Sequence, residues 1–169
     1  PEYQSLIYQN MDYFHQHVLV GLIHRNNIAI MNVIVQSSII NDIINHIFGY
    51  RTLMDEALEY LQTEIVRLLL SVPSIDLYKS DSCWCALDRL CSFRTPSDIR
   101  VQIISMNEFR DRIVSNPTAF RDFLESKPNA ILNFLRCLSA SPFFGEVLLQ
   151  CGINLQWLNS LQNRCFVRG

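Results

Sequence analysis

Cysteine and histidine carry the most versatile chemistry in this sequence, which has six of the first and four of the second. The densest thiol cluster is Cys83-x-Cys85-x5-Cys91. Zinc sites usually combine Cys-x-x-Cys pairs or histidines at matching spacing, and residues 83 and 85 of one helix point about 200° apart. We therefore expect buried, reduced thiols here, with no metal and no cofactor.

Common catalytic motifs do not occur in the sequence, including GxSxG, the P-loop, HExxH and the dinucleotide-binding fingerprint. Five glycines in total leave little material for a phosphate-binding loop. The neighbouring acids Asp55, Glu56 and Glu59 lie on a predicted helix with Glu64 and Arg67 beyond them, a pattern typical of a solvated helix face. We predict that the chain is not an enzyme; a helical enzyme without a recognisable motif is the remaining alternative.

Charge is nearly balanced, with 14 basic and 16 acidic side chains and a net charge of −2. Twelve of the basic residues are arginine, a side chain suited to partly buried ion pairs. The most basic stretch contains Arg89, Arg94, Arg100, Arg110, Arg112 and Arg121. Acids alternate with them at Asp88, Asp98, Glu108, Asp111 and Asp122. We expect a salt-bridged surface and no nucleic-acid partner, unless a curved fold gathers the arginines into a groove for an acidic peptide or RNA.

The 169 residues are 49% apolar and 18% charged, which excludes an intrinsically disordered chain. Polar residues interrupt the most apolar stretch, 28–48, so no membrane span is expected. Reduced thiols without a signal peptide indicate an intracellular protein, cytoplasmic or nuclear. The sequence begins with Pro1, and we expect residues 1–169 to be a single domain from a longer chain.

Apolar residues recur every three to four positions almost throughout, which predicts about ten helices and no strand. Long helices are expected at about 2–24 and 52–69, and shorter ones include 39–48 and a helix from Ser80 or Asp81 to Cys91. Thr52-x-x-Asp55 resembles a capping box. Proline lies at the start of four later helices, at Thr95-Pro96, Asn116-Pro117, Lys127-Pro128 and Ser141-Pro142, and Gly152 ends the last of them.

Three passages share one order of features: residues 18–44, 84–104 and 132–158. In each, an apolar Leu-x-x-Leu helix end leads through a polar break into a short Val/Ile/Leu helix and then into another apolar helix. Because such units cannot bury their apolar stripes alone, they stack on their neighbours. The copies are unevenly spaced, so either the repeats are degenerate or a unit at about 57–70 has lost its signature.

This pattern resembles the armadillo repeat family, most closely at Ala86-Leu87-Asp88-Arg89-Leu90 and at residues 135–158; HEAT-like repeats share most of it. The resemblance implies an all-α, right-handed α-solenoid of three to four short repeats. The position of the family's groove asparagine would hold Gly21, Arg89 and Cys137 here. The ladder of asparagines that grips an extended peptide in that family is therefore missing.

The resemblance implies a non-catalytic scaffold that binds a peptide or a partner helix. The candidate partner-binding residues are Arg89 and Asp88 on one unit, Asn133 and Arg136 on another, and Tyr60 between them. Tyr60 and Trp84 have polar ends suited to an interface, but burial is the simpler expectation for both. Homo-oligomerisation through the apolar excess, and binding of RNA or another acidic ligand, are the alternative functions.

Overall fold

The structure is a computed structural model that describes residues 6, 9–79, 84–92, 94–137 and 140–167. Side chains are described for these residues except 128–129, 142 and 162–167. Cys83 and the predicted helix starts at residue 2 and at Ser80 or Asp81 lie outside the described residues.

Helices account for all the regular structure of the described residues. The first helix, α1, is continuous over 11–24 and consists of Met11–Tyr13, a π-helical segment Phe14–Leu19, and Val20–His24. The others are α2 Ile28–Gln36, α3 Ile40–Ile43, α4 Leu53–Glu59, α5 Thr63–Leu70, α6 Ala86–Cys91, α7 Ser97–Ile104, α8 Asn107–Ser115, α9 Pro117–Ser126, α10 Pro128–Cys137, α11 Pro142–Gln150 and α12 Leu155–Val167. In this part of the chain the only β pairing is an isolated bridge between Phe48 and Arg51. The all-α prediction is confirmed.

None of the helices in the described ranges is both long enough and apolar enough to span a bilayer.

Local capping explains where several helices begin. The predicted capping box opens α4, because the Asp55 amide donates to Thr52 Oγ1 at 3.3 Å and the Thr52 amide donates to Asp55 Oδ2 at 2.8 Å. Prolines open α9, α10 and α11 as predicted. At α9, Asn116 Oδ1 also accepts from the Ala119 amide at 3.2 Å.

The helix predicted for 39–48 is shorter than expected and covers only Ile40–Ile43. The physical reason is Asn45, whose side chain hydrogen-bonds to the segment 74–76. Its Nδ2 donates to the Ser74 carbonyl at 2.7 Å, and its Oδ1 accepts from the Asp76 amide at 2.8 Å. These bonds tie the loop after α3 to the loop after α5 and favour a turn over a further helical turn.

The single long helix predicted for 52–69 is wrong, because α4 ends at Glu59 and α5 starts at Thr63. Leu61 has φ +55°. The Gln62 amide donates to the Ala57 carbonyl at 2.9 Å, and the Leu61 amide donates to the Leu58 carbonyl at 3.2 Å. This is a Schellman motif with leucine at the left-handed position that glycine normally occupies. Gly152, at φ +74°, ends α11 in the same way.

The helices pack in a regular order along part of the chain. Helix α2 packs on α5, α5 on α8, and α8 on α11, so each helix of this row contacts the one three positions later. Beside the row, α1 contacts α4, α4 contacts α6, and both α6 and α7 contact α10. Aromatic residues fill the second half of the core, where the Phe134 ring centroid lies 5.3 Å from Phe144 and 5.6 Å from Phe120.

A buried histidine lies in the π-helical segment of α1. His15 is 1% exposed, and its Nδ1 has no hydrogen-bond partner among the described residues. Its ring lies 5.6 Å from the His46 ring and 6.0 Å from the Phe48 ring, while His46 Nε2 is 2.9 Å from Asp12 Oδ1. Burial, reinforced by the charge of His46, lowers the pKa of His15 from 6.5 to about 4.

Leu61 generates a prediction about the left-handed turn. The Leu61→Gly variant is expected to be more stable than Leu61→Ala by about 1 kcal/mol, because only glycine avoids the clash of a Cβ at this φ. Urea unfolding measures the difference. The control is Leu149, which is exposed within α11. There the alanine variant should be more stable than the glycine variant by about 1 kcal/mol, because alanine is the better helix former. Equal stability of the two Leu61 variants would contradict the assignment.

His15 generates a prediction about acid stability. Its pKa is lower in the folded chain than in the unfolded chain, so its stabilising contribution is complete above about pH 6.5 and is lost as pH falls towards 4. Compared with His15→Phe, the original chain should lose about 2–3 kcal/mol of unfolding free energy between pH 7 and pH 4.5. Urea titrations at both pH values measure this loss. Parallel pH profiles for the two chains would refute it.

Candidate functional site

A groove of about 360 Å³ lies beside the end of α4, the Leu61 turn, the start of α6 and the loop after α6. Charged, apolar and hydroxyl side chains line it: Arg51, Glu59, Arg89, Arg94, Leu58, Leu61, Trp84, Ser92 and Thr95. Arginine and large apolar side chains share one concave surface here. Such surfaces are typical of protein interfaces.

An ion-pair network forms one wall of the groove. Arg89 Nε donates to Asp55 Oδ1 at 3.1 Å, and Arg89 Nη1 donates to Glu59 Oε2 at 2.8 Å. The second oxygen of Glu59, Oε1, lies 3.9 Å from Arg94 Nη1. Arg89 on α6 therefore connects two carboxylates of α4.

Asp55 is the most deeply buried member of this network, with a side chain that is 2% exposed. Its Oδ2 accepts from the amide and the hydroxyl of Thr52, at 2.8 and 2.9 Å, and its Oδ1 accepts from Arg89. Because a buried carboxylate needs compensation, Arg89 is required by the fold itself. This residue was predicted to bind a partner; the structure places it in the groove wall but holds it by internal bonds.

The buried side chain of Arg100 holds the loop after α6, which forms one wall of the groove. Arg100 Nε donates to the Leu90 carbonyl at 2.8 Å, and its Nη2 donates to the carbonyls of Ser92 and Thr95 at 2.8 and 3.0 Å. Thr95 Oγ1 donates to the Arg89 carbonyl at 2.8 Å. These bonds satisfy carbonyls at the end of α6 and fix the loop that carries Arg94.

Aromatic and apolar side chains remain exposed at the rim of this surface. Trp84 is 51% exposed and Leu61 is 37% exposed, and both line the groove above the buried Leu58. Tyr60 is also exposed, and its ring packs 3.9 Å from the ring of His24. Burial was the simpler expectation for Tyr60 and Trp84, and it is wrong for both.

The other predicted binding residues lie where α6 meets α10. Asp88 Oδ2 accepts from the Cys85 amide at 2.9 Å, and its Oδ1 is 3.2 Å from Lys127 Nζ. Asn133 Nδ2 donates to the Cys91 carbonyl at 2.7 Å. Arg136 Nη1 donates to Asn133 Oδ1 at 3.4 Å.

Of the five predicted residues, only Arg89 lines the groove. The partner-binding role of the set stays a prediction. Sequence reasoning singled out Arg94 and Trp84 only as members of larger groups, and it missed Arg51 and Leu61. The available signal was residue type, a Trp followed by several arginines, and neither their exposure nor their proximity can be inferred from the sequence.

The described thiols have the character of core side chains. Cys85, Cys91, Cys137 and Cys151 are buried and unpaired. Burial raises the pKa of the Cys85 thiol to about 12 and raises that of Cys91 and Cys151 above the ordinary value. High thiol pKa values make poor nucleophiles at neutral pH. Among the residues that the structure describes, no group of three His, Cys, Asp or Glu side chains is placed to hold a metal ion.

Comparisons with protein-family models, with curated proteins and with solved structures found no match to this chain.

The network predicts a large difference between two neighbouring arginines. Arg89→Ala should lower the free energy of unfolding by about 3 kcal/mol, because it leaves Asp55 buried without a countercharge. Arg94→Ala should change it by less than about 0.5 kcal/mol, because that side chain is 73% exposed and 3.9 Å from Glu59. Urea unfolding of both variants measures this. A small effect of Arg89→Ala would show that the ion pair is not needed by the fold.

Proposed function

We propose that the chain is a non-catalytic interaction module that binds a segment of a partner protein in the groove between α4 and α6. The observation that carries this proposal is the exposure of Trp84 and Leu61 beside Arg51 and Arg94 on one concave surface. Tryptophan and arginine are enriched among the residues that dominate binding energy at protein interfaces. Leu61 adds a large apolar side chain whose loss from water on binding is favourable.

The backbone conformation of Leu61 also supports a binding role for this surface. A leucine with positive φ costs about 1–2 kcal/mol relative to a residue that tolerates this conformation. Strained residues concentrate at binding and catalytic sites. The turn places Leu61 in the groove wall with Leu58 and Glu59, and a leucine in this conformation fits a role in contacts with a partner.

The scaffold that presents the groove is, in this proposal, an α-solenoid of armadillo or HEAT type. The row α2, α5, α8 and α11 supports it, because a three-helix repeat brings each helix against the one three positions later. The three similar sequence passages support it as well. The contacts of α6 with both α4 and α10 depart from a uniform repeat and fit the degenerate spacing of the passages.

Self-association is a second candidate function, and α2 favours it. This helix has the sequence Ile-Ala-Ile-Met-Asn-Val-Ile-Val-Gln, yet only Met31 is buried. Ile28, Ile30 and Val33 are exposed. Exposed apolar side chains on one helix suit a contact with a second copy or with another repeat.

A selection from a random peptide library displayed on phage tests the groove. Peptides enriched on the original chain should bind Trp84→Ala about tenfold more weakly or worse, since a truncated interface Trp typically costs at least about 1.4 kcal/mol. Val33→Asp, which alters the exposed face of α2, is the matched control and should bind them unchanged. Circular dichroism and urea unfolding establish that both variants are folded.

Two outcomes of this selection would overturn the groove assignment. One is the absence of any peptide enriched above the uncoated support. The other is equal binding of the enriched peptides to the original chain and to Trp84→Ala. Loss of binding in Val33→Asp alone would move the site to the face of α2.

A further inference from the structure

We propose that the groove selects an acidic protein segment, one that carries Asp or Glu next to a large apolar side chain. This inference rests on the proposed function and names the chemistry of the partner. It follows from the way in which opposite charges are layered around the groove.

In three of the four arginine–carboxylate pairs described at the groove, the arginine side chain is more exposed than the acid; the pair of Arg89 with Glu59 is the exception. The side chains of Asp55 and Glu56 are 2% and 12% exposed, whereas those of Arg51 and Arg94 are 37% and 73% exposed. Arg51 Nη1 lies 3.3 Å from Glu56 Oε1, and the Arg51 side chain remains partly exposed beside this pair. An approaching ligand therefore meets positive charge first, although the opposite charges nearly balance.

Glu59 is the carboxylate with which an acidic ligand would compete for the arginines of the groove. Among the described residues it is the only acid in the groove wall, and its Oε2 accepts from Arg89 Nη1 at 2.8 Å. Its other oxygen is 3.9 Å from Arg94 Nη1, much longer than the roughly 2.7–2.9 Å of a charge-assisted hydrogen bond. Because the Arg94 side chain is 73% exposed, a ligand carboxylate can reach it while Glu59 keeps its bond to Arg89.

The apolar residues of the groove determine the second property of the ligand, which is a large apolar side chain. Trp84 and Leu61 stand at the rim and Leu58 is buried below them, so an apolar side chain of the ligand loses its contact with water there. Because arginine lies next to an aromatic ring and a buried leucine, the groove suits a ligand in which Asp or Glu is adjacent to Leu, Phe or Trp. Charge fixes the orientation and apolar contact supplies most of the affinity.

A protein segment fits better than a nucleic acid. Binding of a phosphate backbone depends on several cations that release counterions together, and here each described arginine of the wall has a carboxylate within 4.0 Å. The chain as a whole carries a net charge of −2. Because Trp84 can also stack on a base, an oligonucleotide belongs in the test.

The phage selection gives the first readout, which is the composition of the enriched peptides. Asp and Glu should be in excess over the unselected library. The most enriched peptide is then synthesised with a fluorescent label, together with a version in which every Asp and Glu is replaced by Asn and Gln. Fluorescence anisotropy should show about tenfold weaker binding of the amide version, and weaker binding of the acidic peptide as salt is raised.

Two substitutions in the groove should act in opposite directions on the acidic peptide. Arg94→Glu should weaken its binding about tenfold or more, because it places like charge opposite the ligand. Glu59→Gln should strengthen it about threefold, because it removes the competing charge and keeps an oxygen that accepts from Arg89. Glu64→Gln on α5, whose carboxylate pairs with Arg67 outside the groove, is the matched control and should have no effect.

The outcomes separate this inference from the proposed function. Enriched peptides that lack an acidic excess, or that bind Arg94→Glu unchanged while Trp84→Ala weakens them, would overturn the acidic preference and leave the groove as a binding site. The absence of any peptide that depends on Trp84 would overturn both. Tighter binding of a single-stranded oligouridine than of the acidic peptide, sensitive to Trp84→Ala, would replace the protein partner by RNA.

Discussion

The ion pair between Arg89 and Asp55 is the interaction on which the rest of this region depends. It joins two helices across 34 positions of sequence, and Asp55 is almost fully buried at its centre. The same carboxylate closes the capping box that starts α4. A buried charge is tolerated only when it is paired and hydrogen-bonded. The start of α4 and its contact with α6 are therefore coupled, and both are fixed before any ligand binds.

The shape of the groove follows from this coupling. With α4 and α6 held together, Glu59 at the end of α4 meets Arg89, and the Leu61 turn lies next to the start of α6. Arg100 then folds the loop after α6 back over the helix end. The residues that build the groove, Arg89 and Arg100, differ from those at its accessible rim. Residues at the rim can thus be substituted without loss of the fold.

Local sequence signals predicted local structure well and long-range contacts poorly. Thr52 and Asp55 are three residues apart, and Pro117 and Gly152 act on their own helices, so their roles could be inferred from neighbours alone. Leu61 carries no such signal, because leucine rarely adopts a positive φ and only the packing of α4 and α5 imposes it. Arg89 was recognised as a candidate, but its partner Asp55 could not be identified from the sequence. The exposure of Trp84 likewise depends on which helices surround it.

Residues 57–70, where the proposed solenoid would have a unit without a clear signature, differ from the other passages in how the chain turns. Helix α5 still packs between α2 and α8, as the row requires. The segment keeps a Leu-x-x-Leu helix end at 58–61 and a polar stretch at 62–64. It differs in the residue at the left-handed position, which is Asn26 after α1 and Gly152 after α11 but here is a leucine that lines the groove. A leucine thus takes a conformation that favours glycine at the place where the proposed binding surface lies, as expected if recognition rather than packing determines that residue.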